Sequence, residues 1–303
     1  MFGILLLAAS LHAEGAGDVF PAIPLGASVA EVRPLLQERC QELTSVRAET
    51  PVFPLAAEVE EHLLCSQYSM PSGAVIGEVA FSFGDDSLGL IEARNGAVAA
   101  LAPIAGPKVW TFSGYDIYMP ARVVSHPARD VVWKMNEGAL HAHLFLTPNP
   151  HLEAREPTRE FDPSAARPSI LVFEGSVAEL RPVIEAACDI TEDQPIKQPW
   201  LPSEPQVQLQ INCYGYEYAG YPRKIEAVFG DGHLELAWIL TGKGEEDRIR
   251  KALVDAYGSP LFVSDTVEAF ADWQVVLRKD KPEVLMVSKT LAPVYQVQYS
   301  GSN

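Results

Sequence analysis

The sequence predicts an α+β protein made of two tandem copies of one unit. Each copy reads as helix, three strands, helix, then two or three strands, with the helices on one face of an antiparallel sheet. Two repeats carry this reading. Ser28-Val-Ala-Glu-Val-Arg-Pro-Leu-Leu-Gln-Glu-Arg-Cys40 returns as Ser176-Val-Ala-Glu-Leu-Arg-Pro-Val-Ile-Glu-Ala-Ala-Cys188, offset by 148 residues (188 − 40). Cys65 returns at the same offset as Cys213 (213 − 65). At 303 residues and 48% hydrophobic content, each copy is long enough to bury its own core.

The chain opens on an apolar run, Phe2 to Ala9, that ends in small residues. Residues 1–13 read as a signal peptide, too short to span a bilayer and without the usual preceding Lys or Arg. The remainder divides into a first repeat over 20–150, a charged, proline-containing linker over 151–167, and a second repeat over 168–303.

Each repeat starts with a capping box. Ser28 with Glu31, and Ser176 with Glu179, have the Ser-x-x-Glu spacing in which two side chains satisfy each other's backbone donors. Val177, Leu180, Val183, Ile184 and Ala187 then follow helical spacing. Pro34 and Pro182 fall inside the pattern, where a missing donor predicts a kink or a short first turn. Gln194 to Pro205 reads as a proline-rich connection, with Trp200 as a plug over the sheet or a contact residue.

A strand follows, in which Leu209, Ile211 and Cys213 alternate with polar residues. The next pair forms a hairpin, Ile225–Phe229 and Leu234–Trp238, around Gly230-Asp231-Gly232. The first copy has Val79–Phe83, then Gly84-Asp85-Asp86, then Leu88 and Leu90. Turn chemistry accounts for these aspartates. The second helix spans about Glu245 to Tyr257, with a poorer version from Ala97 to Ala105. Two strands close each unit: Asp130–Met135 with Ala139–Leu146, and Trp273–Arg278 with Glu283–Ser288. Val294–Tyr299 alternates and predicts an added edge strand.

The four cysteines are expected to pair as Cys40–Cys65 and Cys188–Cys213, each closing a loop of equal length (65 − 40 and 213 − 188). No Cys-x-x-Cys pair favours a thiolate metal site. By chain entropy each such bond contributes about 3–4 kcal/mol. Disulfides place the chain in an oxidising compartment, periplasmic or secreted. The net charge is −17, which disfavours nucleic acid and anionic lipid as partners. In architecture, tandem exported α+β repeats with one disulfide each are similar to the β-lactamase inhibitor proteins, which act by binding other proteins. Their repeats are much shorter, and no motif maps residue by residue.

Three groups are candidates for chemistry. His141 and His143 stand two apart in a predicted strand, so both imidazoles face one way and can ligate one metal, with His151 nearby. The second copy has Leu285 and Val287 at these positions. Tyr214, Tyr216 and Tyr218 alternate after Cys213, and Tyr221 follows. If Cys213 faces the core, these rings form an exposed recognition row, unless a helix, a loop or the other repeat covers them. Nucleophile-elbow, zinc-protease and phosphate-loop motifs are absent, and no cofactor signature is present. The expectation is an exported, non-enzymatic binding protein whose partner is another exported protein or a small ligand, with no membrane span. The alternatives are a metal-dependent enzyme using His141 and His143, or a structural component of the cell envelope.

Overall fold

The computed structural model describes residues 18–49, 51, 54–119, 121–147, 149, 151–152 and 162–301. The proposed signal peptide and most of the proposed linker, residues 153–161, lie outside the described residues.

The first unit begins with α1 (Val29–Gln37), started by the Ser28–Glu31 capping box. Four strands follow: β1 (Glu42–Ala48), β2 (Glu60–Ser69), β3 (Val75–Gly84) and β4 (Ser87–Arg94). A short α2 (Ala97–Leu101) leads to β5 (Trp110–Phe112), β6 (Tyr115–Tyr118), β7 (Val123–His126) and β8 (Val131–Met135), and α3 (Glu137–His141) closes the unit. The second unit repeats this plan. It has α4 (Val177–Ala187), β9 (Ile190–Ile196), β10 (Gln208–Tyr218), β11 (Tyr221–Gly230) and β12 (His233–Leu240). Then come α5 (Glu246–Tyr257), β13 (Phe262–Val263), β14 (Val267–Phe270), β15 (Val275–Arg278), β16 (Glu283–Val287) and α6 (Ala292–Ser300).

The strands form two eight-stranded sheets, antiparallel throughout, ordered β1-β2-β3-β4-β8-β7-β6-β5 and β9-β10-β11-β12-β16-β15-β14-β13. The two orders match strand for strand, which is the structural form of the repeat. Both predicted disulfides are present, with Cα atoms 5.4 and 5.5 Å apart. Each ties the end of the first helix to the second strand.

The structure corrects several expectations. Each unit has four strands before its second helix rather than three. β1 and β9 escape the period-2 signal because they are edge strands with both faces largely wet. β9 even contains Pro195, which an edge tolerates because one side of its backbone has no neighbour. The stretch expected to be a proline-rich connection therefore begins as sheet. Neither Pro34 nor Pro182 ends its helix.

The segments expected as strands at 139–146 and 294–299 are helical. Asn136 caps α3, its side chain accepting from the Ala139 amide at 2.8 Å. Pro293 sits in the first turn of α6, where its missing donor costs nothing. In α6, Tyr295 and Tyr299 turn toward the sheet four residues apart while Val294 and Val297 face solvent.

Helices also cover both faces of each sheet, not one. Val32 and Leu36 of α1 and Ala97 and Leu101 of α2 pack with Leu63, Phe81 and Ile91. Ala139 of α3 packs on the opposite face with Leu90, Trp133 and Met135. The second unit does likewise, with α4 and α5 on one side and α6 on the other.

Candidate functional site

The second face of the first sheet meets the second unit around α3. His141 Nε2 donates to the Pro282 carbonyl at 3.0 Å. Phe112 of β5 packs on Tyr214 of β10 with ring centroids 4.7 Å apart. Tyr221 donates its hydroxyl to the Pro51 carbonyl at 3.3 Å.

His141 ends α3, and His143 follows in a left-handed backbone conformation with φ +55°. The strand that would turn both imidazoles to one side is absent. His143 Nδ1 donates to the His141 carbonyl at 2.8 Å, and the ring lies 5.5 Å from Tyr214. Burial pushes the His143 imidazole down to about 3, with the Lys224 ammonium adding to the effect. Burial also lowers His141. The first-sheet counterpart of Leu285 is Trp133, not His141: Leu285 pairs with Trp238 and Trp133 with Glu92, at matching positions of β12 and β4.

The tyrosine row is not an exposed row. A bulge at Gly215, φ +86°, shifts the register between Tyr214 and Tyr216. Tyr216 and Tyr218 thereby rotate to the core face they share with Cys213. Tyr218 is 2% exposed and donates to the Ala165 carbonyl at 3.1 Å. Tyr214 stays on the other face, buried against the first unit, its hydroxyl 3.4 Å from Glu192 Oε2. Burial pushes its hydroxyl above the ordinary tyrosine range, and Glu192 adds to that.

Tyr221 is sandwiched by charge. The Arg248 and Arg223 guanidinium carbons lie 4.2 and 5.0 Å from its ring centroid. Both arginines bond the buried Glu245 carboxylate, which also accepts from the Gly242 amide. Burial opposes ionisation of Glu245, but the Arg223 guanidinium beside it holds the carboxyl below its ordinary value. Trp200 is 47% exposed and no plug; its neighbour Leu201 is the buried residue.

A small cleft opens at this junction. Trp110, Phe112, Met119 and His143 line it from the first unit, and Glu192 and Tyr214 from the second. Trp110, on the edge strand β5, is 48% exposed and Met119, just after β6, 42%, so the cleft continues into an open apolar lip.

A second cluster lies within the first unit. Glu60 and His62 alternate along β2 on the face away from α1, and both are fully buried. His62 Nε2 donates to Glu60 Oε1 at 2.7 Å. Its Nδ1 lies 2.9 Å from Ser82 Oγ and accepts from Asn149 Nδ2 at 3.2 Å. Asn149 Oδ1 accepts from the His151 amide at 2.9 Å, and the His151 ring stands 4.8 Å from His62. Asn149 in turn donates its own amide to buried Glu92 at 3.0 Å, and Glu92 accepts from Arg94. Glu60, His62 and His151 each bring one ligand atom within 4.8 Å of the others. Sequence reading passed over Glu60 and His62; the available signal was two ionisable groups two apart in a strand where the other copy has Gln208 and Gln210.

Comparison with protein-family models, with curated proteins and with solved structures returned no match.

Proposed function

We propose that this chain is an exported, non-enzymatic binding protein whose ligand seats in the cleft between the two units. The observation that carries the reading is the cleft's composition: the rings of Trp110, Phe112, Phe145 and Tyr214, one methionine and a single carboxylate, Glu192, at the seam of two sheets. Binding sites favour such seams, with an apolar lining and few polar groups that fix orientation. The chemistry suits a small molecule with an apolar body and a cationic or donor group directed at Glu192. The net charge of −17 draws such a ligand by long-range attraction. The two disulfides support an oxidising compartment. His143 and Tyr214 serve here as cleft wall and unit contact.

The test is a titration of Trp110 fluorescence with alkyl and aryl amines against the matching carboxylic acids. Amines are expected to bind and acids not. Glu192→Gln should weaken binding by at least about tenfold, as the loss of a charge-assisted contact does. Trp110→Ala should remove the signal while leaving the melting temperature of the free protein unchanged, because the side chain is half exposed. Equal binding of amines and acids, or binding unaffected by both substitutions, overturns the reading.

A further inference from the structure

We infer that Glu60, His62 and His151 form a zinc site in the first unit, separate from the cleft. Two imidazoles and one carboxylate are a donor set that suits Zn²⁺. Their ligand atoms lie within 4.8 Å of one another. In a four-coordinate zinc site with bonds of about 2.0–2.2 Å the donors stand roughly 3.3 Å apart, so the side chains need to close by at most about 1.5 Å.

The surroundings fit the same purpose. A histidine that ligates through Nε2 carries its proton on Nδ1 and needs an acceptor there. With the metal bound, the His62 proton shifts from Nε2, where it faces Glu60, to Nδ1, where Ser82 Oγ at 2.9 Å accepts it and the Asn149 amide donates to Ser82 instead of to the ring. Asn149 links the two histidines: it bonds Ser82 Oγ at 3.1 Å with its amide nitrogen and holds the His151 backbone with its carbonyl. The segment carrying His151 is thus fastened over the sheet at the point where its imidazole reaches Glu60 and His62. His151 is only half buried, which provides entry for the ion, whereas Glu60 and His62 are fully enclosed.

The second unit supplies an internal comparison. The same strand positions there hold Gln208 and Gln210, and Val228 replaces Ser82 opposite Gln210. Gln208 Oε1 accepts from the Trp200 and Leu201 amides, and Gln210 donates to Asn212. Both positions there hold uncharged amides. The first unit differs from the second at both strand ligands, Glu60 and His62, and at the supporting Ser82.

The experiment uses the full oxidised chain without an affinity tag. It is stripped with chelator, reloaded with Zn²⁺, dialysed and assayed for bound metal, with melting followed in parallel. A single retained zinc and a raised melting temperature are expected. Glu60→Gln and His62→Gln, which import the residues of the second unit, should each abolish retention, as should His151→Ala. Ser82→Ala should weaken affinity by about 10–100-fold. His141→Gln and His143→Gln should retain zinc. Should either buried variant misfold, His151→Ala decides, since its side chain is partly exposed. No retained zinc in the parent chain overturns the assignment. So does retention that survives His151→Ala, or that is lost only in the His141 and His143 variants.

Discussion

Gly215 holds φ +86°, and a Cβ there would sit 2.1 Å from an Asp189 carboxylate oxygen. Only glycine meets both demands. Its counterpart Gln67 also has a positive φ, +50°, but the β2–β3 register does not shift there, and Tyr68 after it lies in the core. Gly215→Ala should therefore cost more than about 1 kcal/mol in denaturant unfolding, and release of the bulge would re-expose Tyr216. Tyr218→Ala should cost about 3 kcal/mol or more, because the ring is enclosed. A nearly unchanged midpoint for Tyr218→Ala would contradict the burial described above. Asp85 shows the same economy of position. Its carboxylate closes the β3–β4 turn and accepts from the amides of Ala57, Glu58 and Val59 at 2.8–2.9 Å. Burial pushes the carboxyl up, yet the three amides outweigh it and hold it below its ordinary value. Asp231 does this for Gln206 and Val207 in the second unit. The aspartates read as turn residues are thus also loop anchors.

At the scale of elements, the disulfides staple the exposed edge of each sheet. Leu43 of β1 pairs with Cys65, and Thr191 of β9 with Cys213, so the bond lies where an edge strand begins. Replacing Cys188 and Cys213 by serine should lower stability by about 2–5 kcal/mol. Hydrogen exchange should show β9 and α4 losing protection before β11 and β12, which lie inside the sheet. Uniform loss across the unit would show that the bond stabilises the whole sheet and not its edge. The short closing helices follow the same logic. α3 and α6 occupy equivalent places after β8 and β16, but only α3 is trapped between units.

At the scale of the molecule, two buried groups at or beside the seam contribute to the response to acid. Glu245 is ionised between Arg223 and Arg248, and its folded pKa is lowered. Its contribution is present above the ordinary carboxylate range and is lost as pH falls through the folded value. His143 is depressed from 6.5 to about 3. A depressed histidine stays neutral in the fold while the unfolded chain takes up a proton, so stability is full above pH 6.5 and declines toward pH 3. His143→Gln should flatten the dependence of the melting temperature on pH across this window. An undiminished slope would assign acid sensitivity elsewhere. Glu245→Gln leaves Arg223 buried with its charge uncompensated and should cost about 3–5 kcal/mol at neutral pH.

The sequence by itself determined the duplication, the disulfide pairing, both capping boxes and the central hairpin of each unit. Those features depend on residues close in sequence, or on repetition, and each has a strong local signature. What surrounded the sheet did not. β1 and β9 carry no alternation because an edge strand has no buried face to enforce it. The helical closing segments gave way to a capping asparagine and an early proline that alternation concealed. One bulge at Gly215 decided which tyrosines are core, since a single extra residue reverses the face of all that follow. The junction lined by Trp110, His143, Tyr214 and Glu192 was decided by the packing of two units whose separate sequences do not encode a shared seam. Glu60, His62 and His151 met only because the chain, some ninety positions later (151 − 62), returns across the second face of the sheet. Local chemistry sets turns, caps and cross-links; which faces become interior, and which distant groups meet there, is settled by the tertiary structure.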